Sequence, residues 1–164
     1  MSPTESLLES WDRQCRIVLS AASLVDESNR QAKPSEDGWD LATQLAHIHE
    51  VRQFWLTKLD ADRAKALPNS FSEPWTTPIS ELSQIKDCLE LSGPAIRNAM
   101  ADHLMRGTQA IGGYDHPVLF LQHMIWHEGW HIGLIFLALR LNGQEPSEEW
   151  SEENVWGLWR REEW

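Results

Sequence analysis

Apolar and polar positions recur with a helical period along most of the chain, and caps or breakers separate the segments. Ser2, Pro3 and Glu5 spell an N-cap, a proline at the first helical position and an S-x-x-E capping box, after which Leu7, Leu8, Trp11, Cys15, Val18, Ala22 and Val25 trace one apolar face. The pattern predicts a first helix there. Pro34 and Gly38 mark a loop, and Asp40 then caps a second helix that runs to about Leu59 or somewhat beyond, with Leu41, Leu45, Ile48, Trp55 and Leu59 as its main stripe. A proline-rich connection, LPNSFSEPWTTP, follows. Thr77 and Pro78 are read as opening the third helix, whose face is Leu82, Ile85, Leu89, Ile96 and Met100, with Gly93-Pro94 interrupting or kinking it midway. The segment RGTQAIGGYDH is the next break.

The stretch from Pro117 to Asn142 differs from the others because it is apolar on almost every side, which predicts a buried central helix rather than an amphipathic surface one. It stops at Asn142-Gly143 and leads into an acidic tail with a short helix carrying Val155, Trp156 and Trp159. No strand pattern of convincing length and no internal repeat is present. The expected fold is all-α, a four-helix bundle with a short C-terminal helical segment, in which residues 1–164 form one domain.

Composition changes this picture in three places. Ten tryptophans in 164 residues imply large rings filling the core and an interface, and Trp150, Trp156, Trp159 and Trp164 predict a tail that packs across the bundle, across a two-fold interface, or both. A formal net charge of −11 argues against nucleic acid and against anionic membrane surfaces. The two cysteines, Cys15 and Cys88, lie far apart without metal-ligand spacing and read as free thiols of an intracellular protein. No basic segment followed by an apolar run opens the chain, and the histidines, Gln122, Glu128 and Arg140 argue against a membrane span over the central helix. The expectation is a soluble, cytoplasmic protein.

Candidate chemistry sits on the central helix. His123, His127 and His131 recur every four residues, so at about 100° per residue they share one narrow stripe. Buried imidazoles need partners, and a metal ion supplies one for several at once. His127 to His131 also spells H-E-x-x-H, in which Glu128 would be the general base of a zinc protease. The extended form of that motif needs Gly and His where Leu134 and Leu137 stand, and no sheet is expected to hold a peptide. A third ligand must come from another helix. Helix two offers His47 and His49; His49 lies close to the wet side marked by Glu50, Gln53, Thr57 and Asp60, which makes His47 the better candidate.

Trp39 to His47 (WDLATQLAH), then HEGWHIG at His127 to Gly133, then ALRLNG near the helix end, resemble the DinB/YfiT-like superfamily of bacterial four-helix bundles over nearly the whole chain. The resemblance implies a divalent metal, zinc or nickel, held by His47, His127 and His131, with water in the remaining positions. It implies a homodimer, and relatives that activate low-molecular-weight thiols such as bacillithiol or mycothiol. Trp130, Ile132 and Leu134 stand where His, Arg and Gln often occur in that family. The function expected is therefore a metal-dependent transferase or hydrolase in which a thiol or a water attacks a small-molecule electrophile. Glu128 and His123 would orient a ligand or shuttle a proton in it. The alternatives are a non-catalytic bundle pinned by its metal and the H-E-x-x-H hydrolase.

Overall fold

The computed structural model describes residues 1–160. Four long helices build it: α1 (Pro3–Ser23), α2 (Leu41–Leu59), α4 (Leu82–Met105) and α5 (Pro117–Leu141), with a single-turn α3 (Ala61–Lys65) after α2 and a short α6 (Glu148–Ser151) that continues as a π-helical turn, Glu152–Trp156. Around the bundle the order is α1, α4, α2, α5, which places α2 and α5 side by side. The fold is an all-α bundle.

Local chemistry sets the helix starts. Ser2 Oγ accepts the Glu5 N–H at 3.2 Å while the Glu5 carboxylate takes the Ser2 N–H at 2.6 Å, the reciprocal box that the sequence spells. Asp40 accepts the Thr43 N–H at 2.8 Å to open α2, and His116 Nδ1 accepts the Val118 N–H at 3.2 Å with Pro117 at the first position of α5. Past the end of α5, Gly143 takes a φ of +73°, which only glycine adopts without strain.

Three expectations are corrected. Thr77 and Pro78 do not start a helix: they form β2 (Thr77–Pro78), paired antiparallel with β1 (Phe71–Glu73), and α4 begins only at Leu82. Proline disfavours helical backbone in the residue before it and is tolerated on an edge strand, so the same dipeptide serves a hairpin equally well. Second, α4 runs through Gly93-Pro94 without a break. Pro94 lies on the exposed side, and Gly93 faces α1 closely: a Cβ there would meet Cys15 Sγ at 2.8 Å. Third, α5 is not buried all round. Leu119, Trp126, Trp130, Leu137 and Leu141 are exposed, and at about 100° per residue they form one apolar stripe along its outer side. A bundle covers only the inward faces of its helices.

The core consists of two apolar clusters, one around Leu41, Leu45, Ile85, Leu89 and Ile135, the other around Trp11, Leu56, Met100, Phe120 and Met124. Arg52 spans them, its guanidinium 5.1 Å from the Trp11 ring centroid and bonded to the Leu89 carbonyl at 3.1 Å. The tail folds back on its own bundle: Trp150 packs edge-on against Phe136, Val155 is buried, and Arg13 donates to the Trp159 carbonyl at 3.1 Å. Trp164 lies outside the described residues. No helix among the described residues is long and apolar enough to cross a membrane.

Candidate metal centre

Adjacent helices α2 and α5 bring His47, His127 and His131 together, with one ligand atom of each within 4.8 Å of the others. His127 and His131 stand one turn apart on α5, and their Nε2 atoms lie 3.2 Å from one another. Two imidazole nitrogens on a tetrahedral zinc, at about 2.05 Å each, would be about 3.3 Å apart. The donor set therefore fits a divalent ion.

The hydrogen bonds support the same conclusion. His131 Nδ1–H donates to Gln44 Oε1 at 2.5 Å, which leaves the Nε2 lone pair facing the cluster, and Gln44 Nε2 in turn donates to the Trp39 carbonyl at 3.4 Å. This is the outer hydrogen bond that commonly orients a metal-bound imidazole. His127 Nδ1 is buried without a hydrogen-bond partner among the described residues, so His127 lacks the outer bond that His131 has. Burial pushes the His47 imidazole below its usual range; burial, then the neighbouring His47 and His123, take His127 down to about 4, and burial, then His127 and His47, take His131 down to about 3. All three are therefore neutral near pH 7, the form a metal needs.

Aromatic rings surround the cluster. Trp39 lies 4.8 Å from the His47 ring and nearly parallel to His131 at 6.2 Å. Trp75, in a left-handed conformation at φ 65°, sets its ring 5.7 Å from His47. That backbone is unfavourable for a bulky residue by about 1–2 kcal/mol, so the surrounding hairpin must hold it. A cleft of about 450 Å³ opens beside His47 and His131.

The family model that matches is the DinB family, over residues 1–150. The chain belongs to the DinB family. No curated protein and no solved structure matches it significantly.

The remaining candidate residues of this DinB protein are placed as follows. Glu128 does not join the histidines. It is fully buried on the inward side of α5, where its two oxygens accept from Arg52 Nε at 2.7 Å and Nη2 at 2.9 Å. A carboxylate held by both oxygens in the core cannot serve as the general base of an H-E-x-x-H protease, because a buried ion pair broken on one side is strongly unfavourable. His49 is also committed elsewhere, its Nε2–H donating to the Pro68 carbonyl at 2.8 Å. His123 is exposed one turn before His127, their ring centroids 6.4 Å apart, and its Nδ1 is engaged by the Tyr114 hydroxyl. Tyr114 is presented by a tight turn in which Gly112 and Gly113 both take positive φ, 54° and 92°, as such a turn demands.

Neither cysteine is a nucleophile. Burial pushes the Cys15 thiol up to about 12 and the Cys88 thiol up to about 11, which leaves both protonated near neutral pH.

Gln44, Trp39, Trp75 and Tyr114 complete the site and were not assigned roles in it from the sequence. Two of them leave a trace there: Trp39 heads the WDLATQLAH stretch, and Gln44 is a polar residue on the core side of α2, between Leu41 and Leu45 and three residues before His47.

Proposed function

We propose that this DinB protein is a divalent-metal-dependent enzyme acting on a small molecule, with His47, His127 and His131 as ligands of zinc or nickel and a thiol or a water as the nucleophile. One observation carries the reading: three imidazoles converge at the edge of a cleft, and no fourth His, Cys, Asp or Glu joins them among the described residues. Three protein ligands with a free position are the catalytic pattern, whereas structural zinc sites are closed by four. A divalent ion bound there would act as a Lewis acid that favours the anionic form of a thiol or a water at neutral pH.

The chain's own residues supply orientation and exclude water. Gln44 holds the Nδ1 proton of His131, so that its Nε2 lone pair points inward. Trp39 and Trp75 cover His47 from two sides. His123, its ring engaged by Tyr114 one turn from His127, is the proton carrier. Replacing Gln44 by Leu is expected to weaken zinc binding about 10–100-fold in a chelator competition, while unchanged affinity would remove Gln44 from the account.

The thiol reading is tested spectroscopically. Cobalt-loaded protein is expected to gain a sulfur-to-cobalt charge-transfer band when simple thiols or dithiols are added, while azide or acetate perturbs only the ligand-field bands. No new band with any thiol would leave water as the nucleophile.

Assembly as a homodimer belongs to the same proposal. Leu137 and Leu141, 40% and 64% exposed, continue the apolar stripe of α5 away from the histidines and offer it a contact surface. The pair of substitutions Leu137→Glu and Leu141→Glu should yield a monomer in sedimentation with unchanged helical content. Wild-type protein that sediments as a monomer at every concentration would end this part of the proposal.

A further inference from the structure

The cleft beside the histidines exposes more aromatic surface than the fold needs. Trp39 and Trp130 line it with Leu134, His47 and His131, and the two indoles are 47% and 60% exposed. Large apolar rings left open to water beside a reactive centre are surfaces for a ligand to cover. The polar inventory of the cleft is short. Gln44 uses its oxygen on His131 and its amide nitrogen on the Trp39 carbonyl, so it has little left for a ligand. No lysine or arginine lines the cleft among the described residues, and its one carboxylate is Asp37.

These features select by shape and by charge. An indole face carries negative electrostatic potential: it attracts flat apolar rings and cations and gives nothing to an anion. Asp37 and the net charge of −11 act in the same direction. A carboxylate, phosphate or sulfonate laid against these rings would lose hydration and find no cationic side chain to replace it; a divalent ion on the histidines would favour negative charge only at its own open position.

We propose that the cleft binds the substrate, and that the substrate is a flat aromatic molecule whose ring carries no negatively charged substituent, laid against Trp39 and Trp130 with its reacting atom toward the histidines. The position of the reacting atom rests on the metal reading above; the binding of the ring does not. The indole wall thereby disfavours acidic groups on the part of the substrate that lies against it, whichever nucleophile the centre uses.

Three probes share one ring and differ in charge: 2-naphthylmethanol, 2-naphthylmethyl-trimethylammonium and naphthalene-2-sulfonate. Each is titrated into the full chain by calorimetry, with and without zinc, and zinc uptake is measured in the same samples. In the zinc-free chain the neutral and cationic probes should bind, and the sulfonate at least about tenfold more weakly. Trp130→Ala and Trp39→Ala should each weaken the neutral probe by up to about tenfold. Leu134→Lys, at the wall of the cleft, should admit the sulfonate. Equal binding of all three charges, no binding of any, or indifference to Trp130→Ala and Leu134→Lys alike would overturn the inference. The outcomes separate the two claims: a chain that takes up no zinc but ranks the probes as stated refutes the metal reading alone, and a chain that takes up zinc but before loading is indifferent to probe charge refutes this inference alone.

Discussion

Arg52→Ala is expected to lower the stability of the metal-free protein by about 3–5 kcal/mol, the largest effect of any single substitution considered for this chain. Arg52 and Glu128 are both fully buried and bonded through two nitrogens and two oxygens, and Arg52 also bonds the Leu89 carbonyl and Ser92 Oγ. Removing the arginine strands a carboxylate in the core. Glu128→Leu should cost a similar amount for the converse reason, whereas the double substitution Arg52→Met with Glu128→Leu removes both charges together and should recover most of the loss. Urea unfolding of the four proteins measures this. A protease of the H-E-x-x-H kind predicts a different result, in which Glu128→Gln abolishes activity and leaves stability unchanged. Single and double variants that all unfold with the wild type would show that the pair does not brace the bundle.

Zinc is expected to raise the stability of the wild type by about 2.7 kcal/mol at a free concentration one hundred times its dissociation constant, and to do nothing for His131→Ala. The pH dependence follows from the same residues. In the folded, metal-free chain His127 and His131 are held down to about 4 and about 3, while in the unfolded chain they titrate near about 6.5. Between these values the unfolded chain binds more protons, so metal-free stability is full above about pH 6.5 and is lost progressively as pH falls toward about 3. The same depression leaves the folded ligands unprotonated well below pH 6.5, so zinc should stay bound into mildly acidic solution. Metal loss that begins above pH 6.5, or a His131→Ala variant still stabilised by zinc, would contradict this assignment.

The caps at Ser2 and Asp40 were legible because capping is a local negotiation between a side chain and the next few amides. The grouping of His47 with His127 and His131 was legible as well, since helical spacing places the last two, but the wet-side argument against His49 was mistaken: His49 is fully buried, and its bond to the Pro68 carbonyl is what withholds it. Thr77-Pro78 misled because proline at the start of a helix and proline on an edge strand look alike until the partner, Phe71–Glu73, is known. The burial of α5 was overread: an all-round apolar helix can lie wholly in a core or keep one apolar face at the surface, and Trp126, Trp130 and Leu137 show the second case. Glu128 could not be placed from its motif, because the spelling H-E-x-x-H does not say whether the carboxylate turns to the histidines or to Arg52. Tyr114 and Trp75 reach the site from loops, and only the tertiary fold brings them there.

X-ray absorption at the zinc edge, on protein loaded to saturation and freed of excess metal, tests the central claim most directly. The account predicts one zinc per chain, three imidazole nitrogens at about 2.0–2.1 Å and at least one light atom not supplied by the protein. His47→Ala, His127→Ala and His131→Ala should each lose the metal, and His49→Ala should keep it. A chain that retains no zinc, a sphere closed by four protein ligands, or a site emptied by His49→Ala but not by His47→Ala would contradict it.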